Sequence, residues 1–174
     1  RTAGVPQSFV VNTPFPPDDR SDGYERGTSI SKEWDAATTR AALEVGQFVT
    51  RKLDRLARTK RDAGDRRAKV LDFCRRFVER AFRRPLTDEG RTFFVDRWFV
   101  EGEPLEPAVK RVVLLAMKSP RFLYRESPGG SFDDYDVASW LSFGLWDTLP
   151  NQALLKAAEK GQLRTEAQIA SWAD

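Results

Sequence analysis

The residues best suited to chemistry fall into two groups. The loop DDRSDGYE, residues 18–25, gathers Asp18, Asp19, Asp22 and Glu25 around Gly23. Oxygen-rich loops of this kind bind calcium. Counted from Asp18 against the EF-hand template, Asp22 and Gly23 fit, but Arg20 and Ser29 fall where ligands belong. Arg20 and Arg26 would also oppose a cation. Asp18 and Asp22 are therefore the metal candidates, set against the plainer reading of a solvated acidic turn paired with basic residues elsewhere. The second group is SPRFLYRE, residues 119–126, where Arg121 and Arg125 stand four apart and share a side on a helical turn. Two guanidinium groups so placed can clamp a carboxylate or phosphate, or lock a helix junction by reaching Glu126, Asp133, Asp134 or Asp136. An enzyme built on this chain would draw on Asp18, Asp22, Arg121, Arg125 and Asp134, and their convergence in one concave pocket is its test.

Composition removes most other chemistry. The chain of 174 residues has no histidine and one cysteine, Cys74. Histidine bases, Ser-His-Asp and Cys-His nucleophile systems, His-ligated zinc and a His-ligated haem are excluded within these residues. A single cysteine likewise excludes an internal disulfide, a CxxC pair and a CxxCH haem attachment. Cys74 lies beside Arg75 and Arg76, which could activate a thiol, but it shares a helical stripe with Val70, Phe77 and Ala81 and reads as a small buried apolar residue. Hydrophobic residues make up 40% and charged residues 32%, ordinary for a globular chain. No apolar run is long enough to span a bilayer, and no charged-then-apolar leader is visible.

The net charge of +3 is unevenly spread. Between Arg51 and Arg84 stand fourteen basic residues against five acidic ones, a local charge of +9. The arginines alternate with acids at helical spacing and lack interleaved exposed aromatics. The segment reads as a solvated, ion-paired face, with an anionic polymer as the alternative ligand and nucleic acid disfavoured.

The elements that must position these residues are helical. Residues 1–30 read as a loop-like arm, broken by Pro6, Pro14, Pro16 and Pro17. From an N-cap at Ser31, apolar residues recur every three or four positions from Trp34 to Leu56, predicting one long helix. Residues 57–67 have no apolar face and read as a linker. A second helix spans about 67–83, stopped by Pro85, with Arg83 and Arg84 placed to bond its last carbonyls and to pair with carboxylates of the next element. A third, capped by Thr87, runs towards Gly102. A fourth buries Val109, Val112, Val113, Leu115 and Ala116 and ends at Pro120. A fifth covers about 133–146 behind a capping-box variant of Ser131 and Asp134. A sixth follows Pro150 and stops at Gly161, and a seventh is capped by Thr165. Trp140 and Trp146 are six apart and do not share a face. Trp146 is assigned to the core and Trp140 to an exposed position open to a partner surface. No convincing strand alternation exists. The expected fold is all-α, about seven helices in an irregular bundle with a Pro-rich N-terminal arm.

Three phrases, FCRRFVERAFRRPLT (73–87), SPRFLYRE (119–126) and DYDVASWLSFGLWDTLP (134–150), together resemble a large uncharacterised bacterial family typical of planctomycetes and also found in myxobacteria. Its members string together domains of unknown function numbered 1587, 1595, 1592, 1588 and 1585, often with a cytochrome c module. On this resemblance, residues 1–60 are an arm and long helix ending a 1587-like domain. Residues 61–104 are a 1595-like helical hairpin, and residues 105–174 begin a 1592-like domain expected to continue beyond Asp174. This chain departs from the family pattern with Trp140 in place of Arg, Gly144 in place of an aromatic and Asn151 in place of Asp. The resemblance implies an extracytoplasmic protein, in the periplasm or at the cell surface, with any haem in a separate module. It supplies no reaction and no catalytic residue. The expectation is a structural and interaction module whose partners are other domains of the same polypeptide or other subunits. Arg83, Arg84, Arg121, Arg125, Trp140 and Trp146 are its structural or interaction residues.

Overall fold

The computed structural model describes residues 9–16, 31–124 and 132–172. The first helix, α1 (Lys32–Arg51), begins where its cap lies, the Ser31 side chain accepting the Trp34 N–H at 3.0 Å, with Glu33 and Asp35 in the positively polarised first turn. Its buried face is made of small and β-branched residues, Ala37, Thr38, Ala41, Ala42, Val45, Gly46 and Val49. Such a face lets a second helix approach closely, and α5 (Leu105–Lys118) takes that place, presenting Ala108, Val109, Val112, Val113 and Ala116. Gly46 sits in this crossing, yet a methyl group there would stand 3.9 Å from Val113 Cγ1, an ordinary contact. Gly46→Ala is therefore expected to stabilise the fold by about 0.5–1 kcal/mol, through helix propensity alone, read as a higher denaturation midpoint at unchanged slope. A lower midpoint would show that the two helices need the bare backbone.

The long helix expected to reach Leu56 breaks at Lys52, which has φ −110° and ψ 15° and shares its N–H between the carbonyls of Phe48 and Val49. The Thr50 hydroxyl donates to the Gly46 carbonyl at 2.7 Å, a back-bond that bends helices. A short α2 (Leu53–Leu56) follows. Because Leu53 and Ala57 remain buried across the break, apolar spacing carries no trace of it.

The third helix, α3 (Arg66–Phe82), buries Val70, Phe73, Cys74, Phe77, Val78, Ala81 and Phe82. It closes before Pro85 acts. Arg83 adopts left-handed backbone at φ 61°, and the Arg84 N–H returns to the Glu79 carbonyl at 3.2 Å. The next helix, α4 (Asp88–Phe94), is capped by Thr87, whose hydroxyl oxygen accepts the Gly90 N–H at 3.1 Å. It stops short of the expected Gly102, because fully buried Val95 leaves helical geometry and a three-ten turn, Asp96–Trp98, folds Trp98 and Phe99 back onto the core. Leu115 of α5, expected in the core, is half-buried. Pro120 ends α5 and also opens α6 (Pro120–Leu123), a single turn capped by Ser119.

The last three helices pack apart from this group. The seventh, α7 (Asp134–Trp146), starts from a capping box, but its members are Asp133 and Asp136 rather than Ser131 and Asp134. After it come α8 (Gln152–Glu159), capped by Asn151, and α9 (Glu166–Ala170), capped by a Thr165–Gln168 box. The described residues are thus all-α, with nine α-helices and no strand, rather than about seven helices. The two additional helices are α2 and α6, single turns separated from α1 and α5 by one-residue departures from helical backbone.

Two apolar clusters result. The larger joins α1, α3 and α5 through residues such as Val49, Val70, Phe77, Val78, Val109 and Val112. The smaller contains Ala138, Leu154, Ala157, Ala158 and Leu163. Residues 9–16 lie along α1. The Phe9 ring sits 4.2 Å from that of Phe48, and the Asn12 N–H and Thr13 hydroxyl both donate to the Glu44 carboxylate. The Thr13 hydroxyl, with the Asn12 N–H, holds the Glu44 carboxyl below the usual range.

Candidate functional site

Of the residues singled out in the sequence, Arg83, Arg84, Arg121 and Trp140 meet at the end of α3. The left-handed turn at Arg83 aims two consecutive arginines at different targets. Arg83 is only 7% exposed. Its Nη2 donates to the carbonyl oxygens of Arg121 at 2.7 Å and Tyr124 at 3.2 Å, and its Nη1 donates to the Ala81 carbonyl at 3.3 Å. One planar guanidinium therefore satisfies the last carbonyls of α6 while anchored to α3. The same group stands 5.8 Å over the Phe143 ring of α7.

Arg84 reaches the start of α7. Its Nη1 donates to Asp133 Oδ2 at 3.0 Å, and its Nη2 donates to Asp133 Oδ1 at 3.3 Å and Asp136 Oδ1 at 2.6 Å. The two carboxylates are also the capping box of α7, so one arginine ties the α3 terminus to the α7 terminus. The pair titrates unevenly. Burial pushes both carboxyls up. At Asp133 the Asp136 backbone N–H and the Arg84 charge outweigh burial and bring the carboxyl below its usual range, whereas at Asp136 burial prevails and raises it.

Arg121 does not reach Asp133, Asp134 or Asp136, and Glu126, the other carboxylate expected of it, lies outside the described residues. Arg121 is exposed, its guanidinium lies 5.9 Å over the Phe82 ring, and Arg84 holds Asp133 and Asp136. Asp134 turns elsewhere. Its Oδ1 accepts the Leu163 N–H at 2.9 Å and its Oδ2 accepts from Arg164 Nε at 3.1 Å, fastening α7 to the loop before α9. Asp18, Asp22 and Arg125 lie outside the described residues. The arginine–carboxylate set that an enzyme would need is therefore not assembled by its described members, Arg121 and Asp134.

A pocket of about 190 Å³ lies at this junction, lined by Phe82, Arg83, Arg84, Arg121, Asp136 and Trp140. Its carboxylate is occupied on both oxygens, by Arg84 and by the Asp133 N–H. Among the described residues, no group of three or more Asp, Glu or Cys is placed to hold a metal ion. Cys74 is buried, and burial pushes its thiol up to about 12, leaving it protonated and unreactive at neutral pH.

The tryptophans sit on the α7 surface, Trp140 at 52% and Trp146 at 48% exposure. The core position expected for Trp146 fails for a geometric reason. The buried line of α7 runs through Asp134, Ala138 and Ser142. Each step of four residues overshoots a full turn by about 40°, so by Trp146 the line has rotated roughly 120° away from Asp134. Around Trp140, the side chains of Phe132, Val137, Leu141, Leu145 and Ile169 form a shallow apolar groove of about 580 Å³. Sequence reading missed this groove, and it missed Asp133 and Asp136 as the partners of Arg84. The second omission had a visible signal, acids three apart immediately before an apolar run, the spacing of a capping box.

The fold and this junction define an all-α protein whose distinctive polar residues join helices. Residues 132–174, the part containing α7 to α9, match the model of a family described as PSD4, a protein of unknown function (DUF1592). The match covers 43 of the 174 residues. No curated protein and no solved structure matches the chain. Among the described residues, no helix is long and apolar enough to cross a membrane.

Proposed function

We propose that this chain is a helical structural and interaction module, an irregular bundle with a Pro-rich arm, within a larger extracytoplasmic protein whose haem, if it has one, is carried by a separate cytochrome c module. No reaction is assigned to it. The observation that carries this reading is the apolar strip along α7 and the residue just before its cap, where Phe132, Trp140 and Leu145 are each about half exposed beside the groove closed by Ile169 of α9. Large apolar side chains grouped on one face mark a surface that another protein surface covers. The occupant assigned here is a neighbouring domain of the same polypeptide, in keeping with the multidomain family that the sequence resembles and with the match over residues 132–174.

The test is Leu145→Lys in the intact polypeptide. Placing a charge at a half-exposed position of the strip leaves the buried face of α7 intact, so helix content by circular dichroism is expected to stay unchanged. Removing the leucine from its contact is expected to weaken docking by about tenfold or more, read as faster limited proteolysis between this module and its neighbour. Unaltered cleavage, with the variant folded, would sink the docking role of α7.

A further inference from the structure

A second surface, sharing no lining residue with the α7 strip and independent of the reading above, lies along α3. An open groove of about 820 Å³ runs between the turn after α2 and α3, with Arg55, Arg58, Lys69, Arg76 and Arg80 on its walls and Asp72 as its one lining carboxylate. Phe73, Phe77 and Leu56 form part of its floor, and Gln152, the first residue of α8, stands at its far edge. Two of the five cations are already matched, Arg76 to Asp72 and Lys69 to Asp65 at 2.9 Å. Arg55, Arg58 and Arg80 make no ion pair among the described residues.

Arg80 differs from its neighbours on α3. Arg66 is held by Asp54 at 2.7 Å and Glu106 at 2.8 Å, Arg75 by both oxygens of Asp96 at 3.0 and 2.9 Å, and Arg84 by Asp133 and Asp136. One nitrogen of Arg80, Nη1, is fully covered and has no acceptor among the described residues, while the residue as a whole is partly exposed to the groove. Glu79 and Glu159 line the adjoining cleft that Arg80 also borders, but neither makes an ion pair with it. Covered donors are normally satisfied, so a partly buried guanidinium with one covered nitrogen unmatched leaves its groove-facing side as the place where an acceptor can offset its burial. Burial lowers the pKa of Arg80 from its ordinary value, yet a guanidinium keeps its charge at neutral pH. At the mouth, Arg58 is held in left-handed backbone at φ 53°, a conformation uncommon for arginine. That strained turn sets a second unpaired guanidinium at the rim of the groove.

We propose that this groove is a binding site for a tetrahedral oxyanion, a phosphate or sulfate group, free or as the terminal ester of a larger molecule, with Arg80 as its anchoring donor and Arg55 and Arg58 at its mouth. Guanidinium groups lining one groove from two elements match the several acceptor oxygens of such an ion, and a carboxylate offers fewer. The open side of the groove leaves room for the remainder of an ester.

The experiment is calorimetric titration of the purified chain at about 50 mM salt, where charge attraction is little screened, with inorganic pyrophosphate, inorganic phosphate, sulfate and, as the carboxylate control, acetate. Pyrophosphate is expected to bind, acetate not to bind, and the comparison of phosphate with sulfate tells the two ester classes apart. Arg80→Met keeps length and apolar contact while removing the charge, and is expected to weaken pyrophosphate by about tenfold or more. Arg51→Gln, on the exposed end of α1 and outside the lining of the groove, is expected to stay within about twofold, since a solvated charge that does not touch the ion adds little. Without ligand, Arg80→Met is expected to melt no lower than the parent chain, and pyrophosphate is expected to raise the melting temperature of the parent and not of the variant. Should Arg80→Met fail to fold, Arg55→Gln at the mouth supplies the same comparison with a smaller expected loss of several-fold. No binding of any of the oxyanions, binding of acetate as tight as that of pyrophosphate, or an equal loss in Arg51→Gln would overturn the site and leave only diffuse positive charge.

Discussion

Phe82→Ala is expected to lower the stability of the fold by about 4 kcal/mol, the largest effect among the substitutions considered for this chain. Phe82 is the last residue of α3 and is buried. Its ring meets Phe94 of α4 edge-on, with centroids 4.8 Å apart and planes at 78°, and carries the Arg121 guanidinium 5.9 Å from its centroid. Truncation removes a large buried side chain, breaks an aromatic pair and merges the space left behind with the existing 190 Å³ pocket. The backbone around it is fixed by the left-handed turn at Arg83 and cannot simply close over the hole. Urea denaturation followed by far-ultraviolet circular dichroism gives the measurement, as a lower midpoint at unchanged slope. A loss below about 1 kcal/mol would mean that the site collapses without strain and that the α3–α4 contact is not a fixed part of the core.

Arg83→Ala is expected to cost about 3 kcal/mol. The deletion takes from the carbonyls of Arg121 and Tyr124 the donor that ties α6 to α3, removes a side chain that is itself only 7% exposed, and empties the space beside Phe143. A second variant separates the side chain from the backbone. Arg83→Gly loses the same hydrogen bonds but relieves the left-handed conformation, so it is expected to be more stable than Arg83→Ala by about 1 kcal/mol. The damage is expected to appear first in α6, as faster amide exchange at Phe122, Leu123 and Tyr124, all of which donate to Ser119 or Pro120 carbonyls within that turn. Equal stability of the alanine and parent chains would remove Arg83 from any role in holding α6.

The helices themselves were largely legible because each is announced by local chemistry. Ser31, Thr87 and Thr165 cap helices where a side-chain oxygen meets free N–H groups, and the apolar periodicity of α3 and α5 follows from one face being buried. What stayed hidden was set by contacts distant in the chain. The break at Lys52 leaves Leu53 in the core and so leaves the pattern undisturbed. The exposure of Trp146 depends on which side of α7 meets α8, and no property of α7 alone determines that. The partners of Arg84 lie 49 and 52 residues away, and nearer acids compete for the same assignment in a sequence reading. The isolation of Arg80 is the hardest feature to foresee. No acid stands three or four positions from it, where Arg76, Phe77, Arg83 and Arg84 lie, so a partner could come only from elsewhere in the chain, and only the folded arrangement shows Asp72 committed to Arg76 and Glu79 facing the Leu86 N–H.

The division of the apolar interior into two clusters has a consequence for how the molecule responds to its surroundings. Each cluster is sealed by contacts indifferent to dissolved ions, whereas the strap from Arg84 to Asp133 and Asp136 is partly exposed. Raising ionic strength from physiological to molar shrinks the reach of such charges from about 8 Å to about 3 Å. The two halves can thereby slacken against one another while each keeps its shape, which makes salt concentration, rather than heat or denaturant, the gentlest control over their mutual posture.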